Sequence, residues 1–218
     1  MAKARSHRNP GRRRGAKPED RAIQAALELI AEDGWRSFSL DAMAKRAGLA
    51  PDAARELFAS RNAVLDAVFR RMDEAVAAEG TYAPDDSNPV RDRLFDVLMR
   101  RFDALNARRA AMVRLTRELP FDPPSAARAA CRLARSLREA LRTAGLSARG
   151  PLGAAQTKGL GFVYLYAVRA WLADDSADLS ATMAALDKGL RAAETLMAAF
   201  AGLTAKAPGR PGREPSQA

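Results

Sequence analysis

The sequence predicts an all-α fold, with a three-helix unit near the N-terminus and a larger helical region after it. Three observations lead there. Ala, Leu, Arg and Glu dominate a chain of 218 residues in which 6% are aromatic, so helix formers are abundant and strand signals scarce. Apolar residues recur at helical rather than alternating spacing along most of the length. Between residues 20 and 65, three short amphipathic segments follow one another through glycine-containing turns, the pattern of a helix-turn-helix.

In the first helix Ile23, Ala26, Leu27 and Ile30 stand at i, i+3, i+4 and i+7, one apolar face, and Gly34 stops it. Ser39 can accept from orphan backbone NH groups as the N-cap of the second, with Asp41 in the first turn. Leu40, Met43, Ala44 and Ala47 form that helix's stripe, and Gly48 supplies the tight turn in Ala47-Gly48-Leu49-Ala50. Pro51 suits the first position of a third helix, whose Ala54, Leu57 and Phe58 are expected to face inward. A unit of this shape can lay one helix in a DNA major groove.

Residues 82–89 have the composition of a linker, and a second domain begins near Val90. Leu94, Phe95, Leu98, Phe102 and Leu105 make the face of its first helix, and Met112 and Leu115 mark a short one ending before Pro120. Ser125 is the expected N-cap of a helix that reaches Ala144, where Gly145 ends it. After Gly150-Pro151 a strongly apolar helix runs to about Ala173. Ser176 or Asp178 then caps a last helix carrying Met183, Leu186, Leu190, Met197 and Phe200. The expected organisation is a disordered basic arm at 1–18, the helix-turn-helix with a linking fourth helix at 19–78, a helical domain at 89–204 and a Pro/Gly-rich tail at 205–218.

Charge is unevenly placed. Residues 1–18 hold seven basic side chains and no acid, whereas residues 19–78 hold eight basic and eleven acidic ones. The arm can thread a minor groove or lie along phosphates, with salt-dependent affinity; a solubilising tail is the alternative.

The stretch from Ile23 to Val68 resembles the DNA-binding domain of the TetR family of transcriptional regulators. Ala25-Ala26-Leu27-Glu28-Leu29-Ile30-Ala31, Gly34, Ser39, Met43-Ala44, Arg46-Ala47-Gly48, Leu57-Phe58, Ser60-Arg61 and Leu65 carry the resemblance. It implies a homodimeric repressor that binds a palindromic operator in double-stranded DNA and is controlled by a small ligand held in the second domain. On the DNA-facing positions, where that family commonly has Lys, a small residue, Thr and an aromatic, this chain has Pro51, Asp52, Ala53 and Arg55. Candidate DNA contacts are Ser39, Lys45, Arg46, Asp52, Ala53, Arg55 and Arg61, joined by Arg12, Arg13 and Arg14 in the arm. Arg55 is the candidate for bidentate guanine reading, with a surface pair to Asp52 or Glu56 as the alternative.

Apolar residues from Leu160 to Leu172 cover more than one helix face, which in this family pairs across a two-fold axis; packing inside its own chain is the alternative. The implied ligand is apolar or amphipathic, a small molecule or lipid, with Phe95, Leu98, Met99, Phe102, Met112, Phe162, Tyr166 and Trp171 as candidate lining.

A second resemblance points elsewhere. Trp171-Leu172-Ala173-Asp174-Asp175-Ser176, then Asp178-Leu179, Thr182, Leu186 and Asp187, are similar to the C-terminal region of the coenzyme-Q (ubiquinone) biosynthesis accessory family. Gly34-Trp35 and Gly48-Leu49-Ala50-Pro51 share in the likeness. That family has a TetR-like fold and binds lipid instead of DNA. Its amphipathic membrane helix has no counterpart before the Pro/Gly-rich tail, so a membrane surface is the less favoured partner. Arg128, Arg132, Arg135, Arg138 and Arg142 nevertheless share one arc of their helix, fit either for an anionic surface or simply for solvent.

Catalysis has little support. The single His, His7, lies in the arm, so no Ser-His-Asp or Cys-His pair can assemble in the folded part. Cys131 reads as a small buried residue, no Cys/His cluster has metal-ligand spacing, and no glycine-rich nucleotide loop is present, so neither metal nor cofactor is expected. Without an apolar signal region or a spanning segment, the expected location is the cytoplasm.

Overall fold

A computed structural model of the chain describes residues 17–205, with side chains as far as Met197. It contains α1 (Pro18–Asp33), α2 (Leu40–Ala47), α3 (Pro51–Leu57), α4 (Arg61–Ala78), α5 (Val90–Asn106), α6 (Arg109–Glu118), α7 (Pro123–Thr143), α8 (Gly150–Trp171) and α9 (Ser180–Ala205). A 3₁₀ turn at Leu119–Phe121 joins α6 to α7, and no strand occurs among the described residues. Arg12, Arg13 and Arg14 of the arm, the tail and the Phe200 side chain lie outside what is described.

The first three helices form where local chemistry directs them. The Ser39 hydroxyl accepts from the Ala42 amide at 3.2 Å and caps α2. Gly48 ends α2 at φ 65°, a left-handed conformation that glycine adopts without strain, and Pro51 opens α3. Trp35 and Phe38, stacked at 5.5 Å, are buried with Ile30, Met43, Ala54, Phe58 and Val64. Leu57 departs from expectation and is 40% exposed. It is the last helical residue of α3, after which Phe58 turns extended and takes the inward place.

In the second domain α8 packs chiefly on α9 and also on α7, while α5 reaches both α4 and α9. Helix α7 begins two residues before Ser125, because Pro123 and Pro124 occupy first-turn positions that need no NH donor. Its cap is therefore Asp122, which accepts from the Ser125 amide at 3.3 Å. Cys131, expected to be buried, is exposed. It stands on α7 away from the buried stripe that Leu137, Ala140 and Leu141 present to the core.

Between α8 and α9 the chain is held by Asp174. Its carboxylate accepts from the Thr182 amide and hydroxyl, both at 2.7 Å, and from the Ser176 amide at 3.1 Å. Ser176 and Asp178 in turn accept from the Ser180 amide, so both expected caps contribute. One apolar core runs through both domains, from Ala22 in α1 to Leu190 in α9.

Candidate nucleic-acid interface and its junction with the helical domain

The exposed face of α2 and α3 carries both signs of charge. Ser39, Lys45, Asp52 and Arg55 are exposed, as are Asp41 and Glu56, and Ala53 is half-buried between them. Arg55 donates from Nη2 to Asp41 at 2.9 Å and from Nη1 to Asp52 at 3.3 Å, so two carboxylates flank its guanidinium. Arg46 turns back onto α1, donating to Glu32 at 2.8 Å with Glu28 at 3.7 Å. The candidate contacts therefore do not form one free basic surface.

A side chain from the first turns of α1 reaches the α2–α3 turn. Arg21 Nη1, in the first turns of α1, comes within 4.0 Å of where a Cβ on Gly48 would stand. Arg70 to Glu19 at 2.8 Å and Arg71 to Asp20 at 2.7 Å pin the same end of α1 to α4.

Arg61 is engaged where the two domains meet. Its Nη2 donates to the Trp35 carbonyl at 3.2 Å and to Asp122 at 3.1 Å, and its guanidinium lies 4.2 Å above the Trp35 ring. The Trp35 indole NH also donates to Asp122, at 3.1 Å, and the Ser125 hydroxyl donates to the same carboxylate at 2.7 Å. The Ser125 hydroxyl, together with the Trp35 indole, the Ser125 amide and the Arg61 charge, holds the Asp122 carboxyl below its ordinary range despite partial desolvation. Alongside, the Arg36 amide donates to Glu118 at 3.1 Å. Asp122 and Glu118 thus tie the α1–α2 turn and the start of α4 to the corner between α6 and α7.

The eight candidate ligand residues are not gathered. Leu98, Phe102, Met112 and Trp171 are buried in the core, Phe95 and Met99 are half-buried at its edge, and Phe102 stacks on Tyr164 at 5.3 Å. Phe162 and Tyr166 are 77% and 47% exposed and share an outer face of α8 with Leu165. In place of Phe162 and Tyr166, Tyr164 points inward.

A buried polar cluster accompanies that tyrosine. Arg101, 4% exposed, donates to the Tyr164 hydroxyl at 3.2 Å and to Asp73 and Ser136, while the Ser136 hydroxyl donates to Asp73 at 2.6 Å. Four helices, α4, α5, α7 and α8, meet there. Asp73, Arg101 and Ser136 also line a cavity of about 20 Å³ together with Val76, Val97 and Thr143, room for one water molecule. A sequence signal for Arg101 existed: it follows Leu98 by three and precedes Leu105 by four, on the apolar stripe of α5. Arg132 likewise leaves the exposed arc of α7 to bind Asp66 at 2.7 Å, whereas Arg128, Arg135, Arg138 and Arg142 stay exposed. Among the described residues no three His, Cys, Asp or Glu side chains are grouped to hold a metal ion, and no helix is long and apolar enough to cross a membrane.

Residues 22–68 match the family profile described as bacterial regulatory proteins, tetR family. No curated protein matches the chain. Among solved structures, a TetR transcriptional regulator from Nitrosomonas europaea is 22% identical, with 81% of this chain aligned to 98% of that one at a TM-score of 0.62. A TetR transcriptional regulator from Rhodococcus sp. RHA1 is 18% identical, covering 85% and 97% at 0.58. GusR of Salmonella enterica is 20% identical, covering 81% and 94% at 0.56.

Proposed function

We propose that this chain, whose residues 22–68 are a TetR-family helix-turn-helix on a TetR-type fold, is a cytoplasmic repressor that binds palindromic duplex DNA as a homodimer. One observation carries the reading. The α2–turn–α3 unit has the capped, glycine-turned geometry of a groove-reading motif and exposes Ser39, Lys45, Asp52 and Arg55 in solvent, with Ala53 set between them. Arg12, Arg13 and Arg14 supply phosphate contacts from the arm that precedes α1, whose Arg21 reaches the α2–α3 turn, compensating for the carboxylates of this face.

Dimer formation covers the outer apolar face of α8 and α9, where Phe162, Leu165, Tyr166, Leu196 and Met197 are exposed. A two-fold pair sets the two reading heads about 34–36 Å apart on one side of the duplex. Control comes from an apolar or amphipathic ligand that opens the packing around Phe102, Met112 and Trp171 and favours one spacing of the heads. Movement reaches DNA through α4 and through the Asp122 junction, since both connect the two domains.

Selection of genomic fragments by the full-length protein, followed by anisotropy titration of the recovered sites, tests this. Enriched palindromes with half-sites one helical turn apart are expected. Failure to enrich any sequence, with an isoprenoid co-purifying in native mass spectrometry, would replace this function by that of a lipid-binding accessory protein.

A further inference from the structure

We infer that Asp52 and Arg55 act as one reading unit, and that the half-site they select contains adjacent G·C pairs in which Asp52 takes a cytosine amino group. The inference rests on the DNA-binding reading above and adds to it the chemical identity of the bases.

Asp52 is the second residue of α3, and its side chain is 94% exposed. Residues at the start of a reading helix are those that approach base edges. A carboxylate placed there is repelled by phosphates, so the groups left for it are donors on the bases. In the major groove these are cytosine N4 and adenine N6. Adenine sets an N7 acceptor beside its amino group, which opposes the second carboxylate oxygen. Cytosine presents no such acceptor, so cytosine is preferred.

Arg55 supplies the other half. Its Nη1 donates to Asp52 at 3.3 Å and its Nη2 to Asp41 at 2.9 Å, and each bond uses one hydrogen. A guanidinium has five NH donors, so three stay available, enough for the bidentate bond to guanine O6 and N7. Asp52 holds the plane of that guanidinium from one side while using its other oxygen on the neighbouring pair. Spaced three residues apart on one helical face, the two side chains reach adjacent base pairs. The acids on this face then have a purpose besides weakening contact with arbitrary DNA: they convert a phosphate-seeking arginine into a base-seeking one.

The test is selection from a randomised duplex library with full-length wild type, Asp52→Ala and Asp52→Asn, followed by competition titrations on single base-pair variants of the recovered site. Because Asp52 is almost wholly exposed, these substitutions leave the core untouched. Wild type is expected to require cytosine beside a guanine in each half-site. D52A is expected to lose about 5- to 150-fold of discrimination at that cytosine and a smaller part of the preference for the neighbouring guanine, since Arg55 loses one of its two carboxylate partners, and D52N to shift its preference at the first position to adenine, which an amide bonds through N6 and N7. If D52A instead strengthens binding to all duplexes equally and keeps the wild-type base preferences, Asp52 merely repels DNA and the inference falls. A wild-type site lacking the cytosine overturns this inference alone, whereas no enriched site at all overturns the regulator reading beneath it.

Discussion

Replacing Gly34 by Ala tests the junction between the two domains most sharply. Gly34 ends α1 at φ 85° and ψ 169°, a region open essentially to glycine alone, and an L-residue held there costs about 1–3 kcal/mol. The added Cβ also runs into Glu118 Oε1, with Oε2 at 2.8 Å and Cδ at 2.9 Å. Glu118 is a flexible side chain and can retreat, but retreat breaks its bond from the Arg36 amide at 3.1 Å, worth about 1 kcal/mol near the surface. The expected loss is roughly 2–4 kcal/mol in wild type and about 1 kcal/mol less in a Glu118→Ala background, where only backbone strain is left. Urea unfolding followed by far-UV circular dichroism, at one protein concentration, measures all four corners of the cycle. Equal losses in both backgrounds would refute the Glu118 contact, and unchanged stability in wild type would refute the backbone argument.

Three further outcomes are expected. Burial opposes ionisation of Asp174, but hydrogen bonds from Ser176 and Thr182 outweigh it and lower its pKa from 3.8 to about 2. A depressed carboxylate pKa stabilises the fold above pH 4 and loses that effect as pH falls towards 2, so the stability advantage of wild type over Asp174→Asn should shrink by up to about 2 kcal/mol across that window, read by urea unfolding at each pH. Arg101→Met leaves the Asp73 carboxylate without its buried cation and should cost about 3–5 kcal/mol in thermal unfolding, with Arg101→Met/Asp73→Leu recovering most of it. Phe162→Asp places a charge on the outer apolar face of α8 and should shift the proposed dimer to monomer in sedimentation velocity without loss of helicity.

What the sequence made legible was local. Ser39, Gly48 and Pro51 each act within a few residues of their own position, and each stands in the structure where spacing placed it. Phase on a uniformly apolar helix was not legible. From Leu160 to Leu172 apolar side chains occur on every side of α8, so periodicity gives no reason to turn Tyr164 inward and Phe162 and Tyr166 outward; the packing of α7 and α9 decides it. Ser125 drew the cap because serine favours that position, yet two prolines ahead of it shift the helix start to Asp122. The junction was beyond reach for a plainer reason: Trp35 and Asp122 are 87 positions apart, and neither carries a local mark of the other. Arg46, Arg61 and Arg132 show the same limit, since an arginine's spacing says that it can reach solvent and not which carboxylate waits within its reach.

The exposed Cys131 is the one thiol the chain possesses. A maleimide dye or nitroxide will therefore attach at a single known place in the unaltered protein. That place is on α7, whose first turn holds the Asp122 junction and whose middle grips α4 through Arg132 and Ser136. In a two-fold assembly the labels form a ruler between copies, and a change in their separation on adding an effector or an oligonucleotide would measure the transmission directly, without a single engineered residue.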